Sequence, residues 1–203
     1  RVDMSLIDDA AELTNESDAW VVPTNTLLEN VLNPALSVEE MQQWPGMEYL
    51  ANDLVNGWSN FVRQLRNSDD YDEEQARQYL DIRKQLTLSV YEHGNRLLLG
   101  ADAPQIFNPP GFAVHRELEL MVESGLTPFQ ALQTGTVNVG RYLNEEDSVG
   151  KIAPGYRADL ILLDSNPLES LPFREHIQGV IYRGNYLDRN ALDSLLSRLK
   201  NQM

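Results

Sequence analysis

The 203-residue chain contains no cysteine, so neither disulfides nor thiolate metal sites can hold it together. The same absence leaves the redox compartment open. No stretch is apolar for long enough to cross a membrane as a helix. Cations are scarce, with 16 Lys and Arg against 31 Asp and Glu and a formal charge of −15. Such a surface repels a polyanion, which argues against nucleic acid as a partner. Acidic runs such as "NSDDYDEEQ" (67–75) read as a solvated loop and a first helical turn. No internal repeat is visible. An apolar share of 42% and a charged share of 23% are ordinary for a globular protein and exclude wholesale disorder. The length allows one large core or two small ones.

What is present has the rhythm of an α/β protein. "AWVVPT" (19–24) is a short apolar, β-branched run stopped by Pro23, the pattern of a buried strand. A long helical region follows, in which Ser37 and Glu40 have the capping-box spacing. The segment 73–94 places Ala76, Tyr79, Leu80, Leu86 and Val90 on one helical side, with Gly94 at its end. "RLLLGA" (96–101) is a second strand, apolar on both faces as in a parallel sheet covered by helices. "HRELELMVESG" (115–125) predicts a helix with Leu118, Met121 and Val122 on one face. The run 126–143 opens with Thr127 as N-cap, Pro128 at the first position and Gln130 closing a capping box. Strand, helix, strand, helix is the expected order, with Val21 to Thr24 and Leu97 to Ala101 as adjacent parallel strands.

Beyond residue 144 the texture changes. "SVGKIAPGYRADLILLDSNP" sets turn glycines around short strands, and "IQGVIYRGNYLD" is another turn-broken pair. In "DRNALDSLLSRLK" the residues Leu192, Leu195, Leu196 and Leu199 form one helical stripe. A small β module with a C-terminal helix is expected. Two parallel strands alone would leave unpaired backbone edges, and the acidic stretch before Trp20 offers no further strand pattern. Residues 1–144 are therefore expected to end a larger parallel structure, and the chain to be a fragment.

In parallel α/β folds the chemistry sits beyond the carboxyl ends of the strands. Pro23-Thr24 and Asp102 hold such positions. Taken alone, Asp102 reads as a loop or helix-entry carboxylate. Its surroundings add more. "LLLGADAP", "HRELELMVESGLTPFQALQTGTVNVGRYL", "VGKIAPGYRADLILLDSNPLE" and "VIYRGNYLDR", in this order, resemble the C-terminal part of the metal-dependent amidohydrolase superfamily. The likeness is to its imidazolonepropionase-like and Xaa-Pro-dipeptidase-like branch. "WVVPT" and "WPGMEYLANDLVNGW" resemble the seventh strand and following helix of that branch, so the likeness covers nearly the whole chain.

The resemblance implies an α/β fold, the C-terminal part of a (β/α)8 TIM-type barrel. Residues 1–144 would hold its last two βα units, and residues 145–203 strands of a β-sandwich with a C-terminal helix. It implies one or two divalent metal ions, usually zinc. Their ligands in the family are a His-x-His on the first strand, a Lys or Glu bridge, two further histidines and an aspartate ending the eighth strand. Asp102 matches that aspartate, as metal ligand and as catalytic group. A carboxylate there can take a proton from the attacking water and return it to the leaving nitrogen. The chain has no His-x-His, and none of its three histidines matches a ligand, so the other ligands are expected outside it. Because a catalytic zinc takes three or more protein ligands, the chain alone is expected to be inactive.

The function so implied is hydrolysis of an amide or peptide C–N bond in a dipeptide or acyl-amino-acid substrate. Two rivals stand beside it: a deaminase of the same superfamily, and a non-catalytic module that lost its metal. A pocket lined by Arg or Lys for a carboxylate would favour the peptidase. Expected partners are a small-molecule or dipeptide substrate, the upstream part of the same protein, and a second copy in a homo-oligomer. The loop 103–115 is expected to form part of the substrate pocket. His115 is a candidate substrate contact, with a polar helix-start residue as the alternative. His93, at a helix end, reads as structural, and His176 as a surface residue. Trp44, Tyr49 and Trp58 read as packing or lid residues, Asp159 as fixing a turn into a strand, and Asn138 as packing a helix against the sandwich. No compartment is assigned.

Overall fold

The two apolar runs lie side by side in the computed structural model, which describes residues 3–169, 171 and 174–200. They run parallel, but as a single bridge between Val21 and Leu97. It is closed by Val21 N–H to Arg96 O and Leu98 N–H to Val21 O, both 2.9 Å. The longer ladder expected from the sequence does not form. Pro23 has no N–H to donate, and the Leu99 N–H turns instead to Thr134 O at 3.2 Å. Among the described residues there is accordingly no parallel sheet, and the barrel portion is not seen as one.

Helices surround this bridge. The first, α1 (Leu6–Glu16), lies in the acidic stretch before Trp20, for which no element was expected. It buries Ile7 and Ala11 against α5 (Glu73–Gly94). Between them come α2 (Asn25–Leu32), α3 (Val38–Met41) and α4 (Asn52–Arg66). The Ser37–Glu40 capping box is present, although α3 is only one turn long. Asp72 caps α5 by accepting the Gln75 N–H at 2.8 Å. Gly94 is the last helical residue, and the left-handed cap falls to Asn95 (φ 51°). What requires glycine at 94 is space, since a Cβ there would lie 2.0 Å from Asn15 Oδ1.

After the 102–112 loop, α6 (Ala113–Glu123) buries Leu118 and Met121, and Gly125 (φ 115°) turns the chain. The capping box of Thr127 and Gln130 opens α7 (Pro128–Thr134), and α8 (Val137–Leu143) follows a break at Gly135. A Cβ at Gly135 would sit 2.8 Å from Leu99 Cδ2, so the break lets α7 close on the second apolar run. Asn138 serves that run too, and not the β module as expected. Its Nδ2 donates to Leu97 O at 2.9 Å and to Asn95 Oδ1 at 3.0 Å. One core gathers around Leu97, with Ala11, Val90, Leu118, Met121 and Ala131. A second, of Val38, Met41, Trp58, Val62 and Phe107, lies under the 102–112 loop.

The β module is an antiparallel sheet of β1 (Leu160–Leu163), β2 (Ile177–Tyr182) and β3 (Asn185–Asp188), in that order. Arg183 (φ 49°) and Gly184 (φ 80°) form the two-residue turn between β2 and β3, whose paired positive φ values match the strand twist. Asp159 fastens β1 to this turn, as its Oδ1 accepts the Arg183 N–H at 2.7 Å. The final helix, α9 (Arg189–Lys200), packs on β2, on β3 and on the 3-10 turn Met47–Tyr49. Leu192 and Leu196 are half-buried there, while Leu195 and Leu199 stay 44% and 45% exposed, so only part of the leucine stripe is covered.

Gly150 is where this module begins to leave α8. Its φ is +85°, and a Cβ would lie 2.7 Å from Thr136 O and 2.9 Å from Val137 Cα. Both obstacles are backbone and cannot swing aside. Gly150→Ala is expected to destabilise by about 1–3 kcal/mol, seen as a lower urea midpoint with an unchanged m-value.

Candidate functional site

Asp102 follows the second apolar run directly, on the carboxyl side of the Val21–Leu97 bridge. Ala101 before it is buried, and Asp102 itself is exposed. Its φ of 55° lies in the left-handed region, which Asp tolerates better than most residues. The chain therefore turns sharply there. Oδ2 accepts a hydrogen bond from Gln105 Nε2 at 2.9 Å, which leaves Oδ1 available.

The loop behind Asp102 is held from beneath by two asparagines. Asn108 Nδ2 donates to Ala101 O at 2.6 Å. Asn30, on α2, donates through Nδ2 to Asn108 Oδ1 at 2.8 Å and to Ile106 O at 3.0 Å. Both side chains are fully buried. Phe107, also buried, meets Trp58 edge to face at 5.9 Å. Sequence reasoning missed both asparagines, because "ENVLN" and "FNPPG" look like ordinary helix and turn composition. Their pairing spans 78 residues and leaves no local pattern.

Glu117 of α6 was also missed. It is fully buried and closes the start of α2. Its Oε1 accepts the Asn25 N–H at 3.0 Å, and its Oε2 accepts the Thr26 N–H at 2.8 Å and the Thr26 hydroxyl at 2.7 Å. A carboxylate suits these unpaired amides at a helix start. Burial nevertheless pushes its pKa above the ordinary value, against the hydrogen bonds of Thr26 and Asn25 and the charge of Arg83. The loops after both apolar runs are thus each pinned by a buried polar side chain.

A cavity of about 240 Å³ opens beside the Asp102 loop, walled by Trp44, Phe107, Asn108, Phe112, His115 and Arg174. Phe112 stacks on Tyr49 at 5.7 Å between ring centres, and the Arg174 guanidinium lies 5.6 Å over Phe112. Among the described residues, Arg174 forms its ion pair with Glu175 at 3.3 Å. Arg116, on the same wall, is occupied: Glu29 holds it in two hydrogen bonds of 2.7 and 2.8 Å. Burial alone would lower the Arg116 pKa, but the bonds and charges of Glu29 and Glu123 hold it above the ordinary arginine range. His115 is 9% exposed. Burial, and then the charge of Arg174, lower its pKa to about 4, so its imidazole is neutral at physiological pH. The structure brings His115 to the cavity wall beside the loop that carries Asp102. His93 lies apart on α5, its Nδ1 2.9 Å from Ser89 O. His176 is half-buried, its Nδ1 2.7 Å from Asp164 Oδ1.

Asp102 can contribute one ligand to a divalent cation, with a hard oxygen that is exposed and not consumed by an ion pair. Among the described residues no three His, Asp or Glu side chains converge on a common point. The described residues therefore do not by themselves make a zinc site, which needs at least three protein ligands.

The sequence model of the amidohydrolase family matches residues 66–187, and the chain belongs to that family. It is 35% identical over 66 residues to an imidazolonepropionase of Rubrobacter xylanophilus, covering 31% of this chain and 16% of that protein. It is 32% identical over 86 residues to an adenine deaminase of Methanothrix thermoacetophila, covering 40% of this chain and 14% of the relative. The fold matches a solved bottromycin amidohydrolase with a TM-score of 0.69 at 20% identity, covering 91% of this chain and 40% of the other. It also matches a Xaa-Pro dipeptidase solved with bound methionine, with a TM-score of 0.59 at 23% identity, covering 89% and 37%. The chain thus spans well under half the length of the proteins it matches.

Proposed function

We propose that this chain is the C-terminal part of a metal-dependent enzyme that hydrolyses an amide or peptide C–N bond, with Asp102 as its proton carrier. In this reading residues 1–144 supply the last two βα units of a (β/α)8 barrel, and residues 145–203 supply β-sandwich strands and a helix. The observation that carries it is the setting of Asp102 within the family match. An exposed carboxylate stands at the carboxyl end of a buried run, on a loop fixed by buried hydrogen bonds.

Asp102 would hold a zinc ion together with ligands from outside this chain. When bound, such an ion lowers the pKa of water and polarises the substrate carbonyl. The role of this chain is the proton. Water oxygen bonds to the carbonyl carbon, Asp102 Oδ1 accepts a water proton, and the same proton passes to the leaving nitrogen as the C–N bond breaks. Gln105, bonded to Oδ2, keeps the carboxylate facing one way. The cavity beside it has aromatic walls and one accessible guanidinium, which favours a substrate with an apolar group and a free carboxylate. Dipeptides and N-acyl amino acids have that form. The likeness to adenine deaminases favours a second reading, an aminohydrolase that releases ammonia.

The complete protein, loaded with zinc, should be assayed with N-acyl amino acids, dipeptides and adenine. Release of a free amino acid is expected. Ammonia release from adenine alone overturns the peptidase reading, and no turnover at full zinc content identifies a non-catalytic module. Arg174→Met is expected to raise KM for N-acyl amino acids about 10- to 100-fold, the worth of one charge-assisted hydrogen bond. The matching C-terminal amides should be unaffected, so an equal change in both substrates removes Arg174 from carboxylate recognition.

A further inference from the structure

We infer that Asn108, oriented by Asn30, is a positioning residue for Asp102 and acts on its carboxylate through Gln105. The inference rests on the functional reading above, and its observations are separate from it.

Asp102 has no regular secondary structure to hold it. It leaves the second apolar run one residue after Ala101, with its backbone in the left-handed region. A residue in such a conformation stays there only when its surroundings fix it. The Ala101 carbonyl has no strand partner to bind it, and Asn108 Nδ2 supplies the missing donor at 2.6 Å. That bond ties the residue before Asp102 to the far end of the loop. The backbone closes the same ring, as the Asn108 N–H donates to Gln105 O at 2.6 Å within an isolated antiparallel bridge of the two residues. Gln105 then reaches back, and its Nε2 donates to Asp102 Oδ2 at 2.9 Å. Asn108 is therefore bonded to both arms of the turn that carries the carboxylate.

An asparagine can do this only with its amide the right way round. If the amide were reversed, its oxygen would face the Ala101 carbonyl oxygen. Asn30 removes the choice, because its Nδ2 donates to Asn108 Oδ1 at 2.8 Å, and only the Asn108 NH2 is left for Ala101. Asn30 is fixed in turn. Its Nδ2 also donates to Ile106 O and Phe107 O at 3.0 and 3.2 Å, and its backbone carbonyl accepts from Arg66 Nη2 at 2.7 Å. Both asparagines are 0% exposed, so water does not compete for these bonds. The fixed point lies on α2 and α4, outside the loop that must be held.

A double-mutant cycle on the complete protein tests the inference, with two readouts. One is zinc affinity by competition with a chelator, and the other is kcat with the N-acyl amino acid that turns over best. Asn108→Ala is expected to weaken zinc binding and kcat each about 10- to 100-fold, the usual effect of losing a group that orients a ligand, with KM changed less than about twofold. In an Asp102→Asn background the same substitution should change neither by more than about twofold, because it acts through the group already altered. Equal losses in both backgrounds overturn the positioning role and leave Asn108 as a stabilising residue only. Gln105→Ala is exposed and carries little folding risk, so it decides the matter if Asn108→Ala does not fold. It should cost about tenfold in the native background and nothing beside Asp102→Asn, and an additive effect again overturns the inference. If Asp102→Asn itself leaves zinc affinity and kcat unchanged, the functional reading fails. A severe Asp102→Asn effect with an additive cycle fails the positioning role alone.

Discussion

Asp102→Asn in the complete protein is expected to lower kcat about 10²- to 10⁴-fold, the range for loss of a positioned acid–base group. The substitution keeps the size, the sharp turn and one oxygen able to accept from Gln105. It removes the negative charge and the ability to carry a proton. The cavity with Arg174, Phe112 and Trp44 is untouched, so KM should change far less than kcat. Steady-state kinetics with zinc content measured on the same samples separates the two contributions. Loss of zinc in step with loss of rate assigns Asp102 chiefly to holding the ion, and loss of rate at full zinc assigns it to the proton. Near-normal kcat at full occupancy would make Asp102 a turn residue.

The second large effect is on stability and belongs to Glu117. Glu117→Ala strips the partner from the Asn25 and Thr26 amides and from the Thr26 hydroxyl, and it opens a hole in a fully buried place. Buried donors without acceptors, plus the cavity, are expected to cost roughly 3–5 kcal/mol. Glu117→Gln keeps one acceptor and should cost roughly 1–2 kcal/mol, with a pH dependence that identifies the cause. The folded-state pKa of Glu117 is raised above its ordinary 4.5 by burial. Just above that pH the unfolded chain has lost the proton while the folded one retains it. The folded state then binds more protons, so this group's contribution falls as pH rises, and it levels off once the buried carboxyl ionises. Glu40 and Glu123 bend the curve the other way in acid, since hydrogen bonds from Ser37, and from Lys84 and Arg116, lower their pKa values. Urea titrations between pH 4 and 8 should therefore show the native protein losing ground to Glu117→Gln as pH rises from 4.5. A gap that stays constant or widens in the native protein's favour would contradict the assignment.

Elements bounded by local chemistry were legible in the sequence. The helix 73–94 was bracketed by its acidic start and Gly94, α7 by Thr127, Pro128 and Gln130, and the β2–β3 turn by Gly184. Each of these signals acts within a few residues. The expected parallel strands show the limit of such reading. Val21 and Leu97 do meet, but how far the ladder runs depends on what else competes for the Leu99 amide, and that competitor is Thr134, 35 residues away. The helix α1 escaped notice because its buried side is narrow, Ile7 and Ala11 among acidic neighbours, and only the wall of α5 makes that side a core. At the candidate site Asp102 could be picked out from its place at the end of an apolar run and from the family resemblance. Asn30, Asn108 and Glu117 could not. Asn30 and Asn108 meet across 78 residues and Glu117 reaches Asn25 across 92, and a polar residue with a remote partner looks, in sequence, like any other.

The docking of α9 on the Met47–Tyr49 turn has a bearing on how the protein is made. About 140 residues separate Tyr49 from Arg189, so at roughly 5–20 residues per second of translation the turn waits about seven to thirty seconds for its cover. Tyr49 is the ring stacked on Phe112, and Phe112 walls the cavity beside Asp102. In the later part of that interval the nascent chain holds the Asp102 loop and α6 while the turn behind the aromatic stack stands bare. A ribosome that stalls before α9 emerges, or a protease that removes it, would leave a chain with the acid in place and its pocket unbacked.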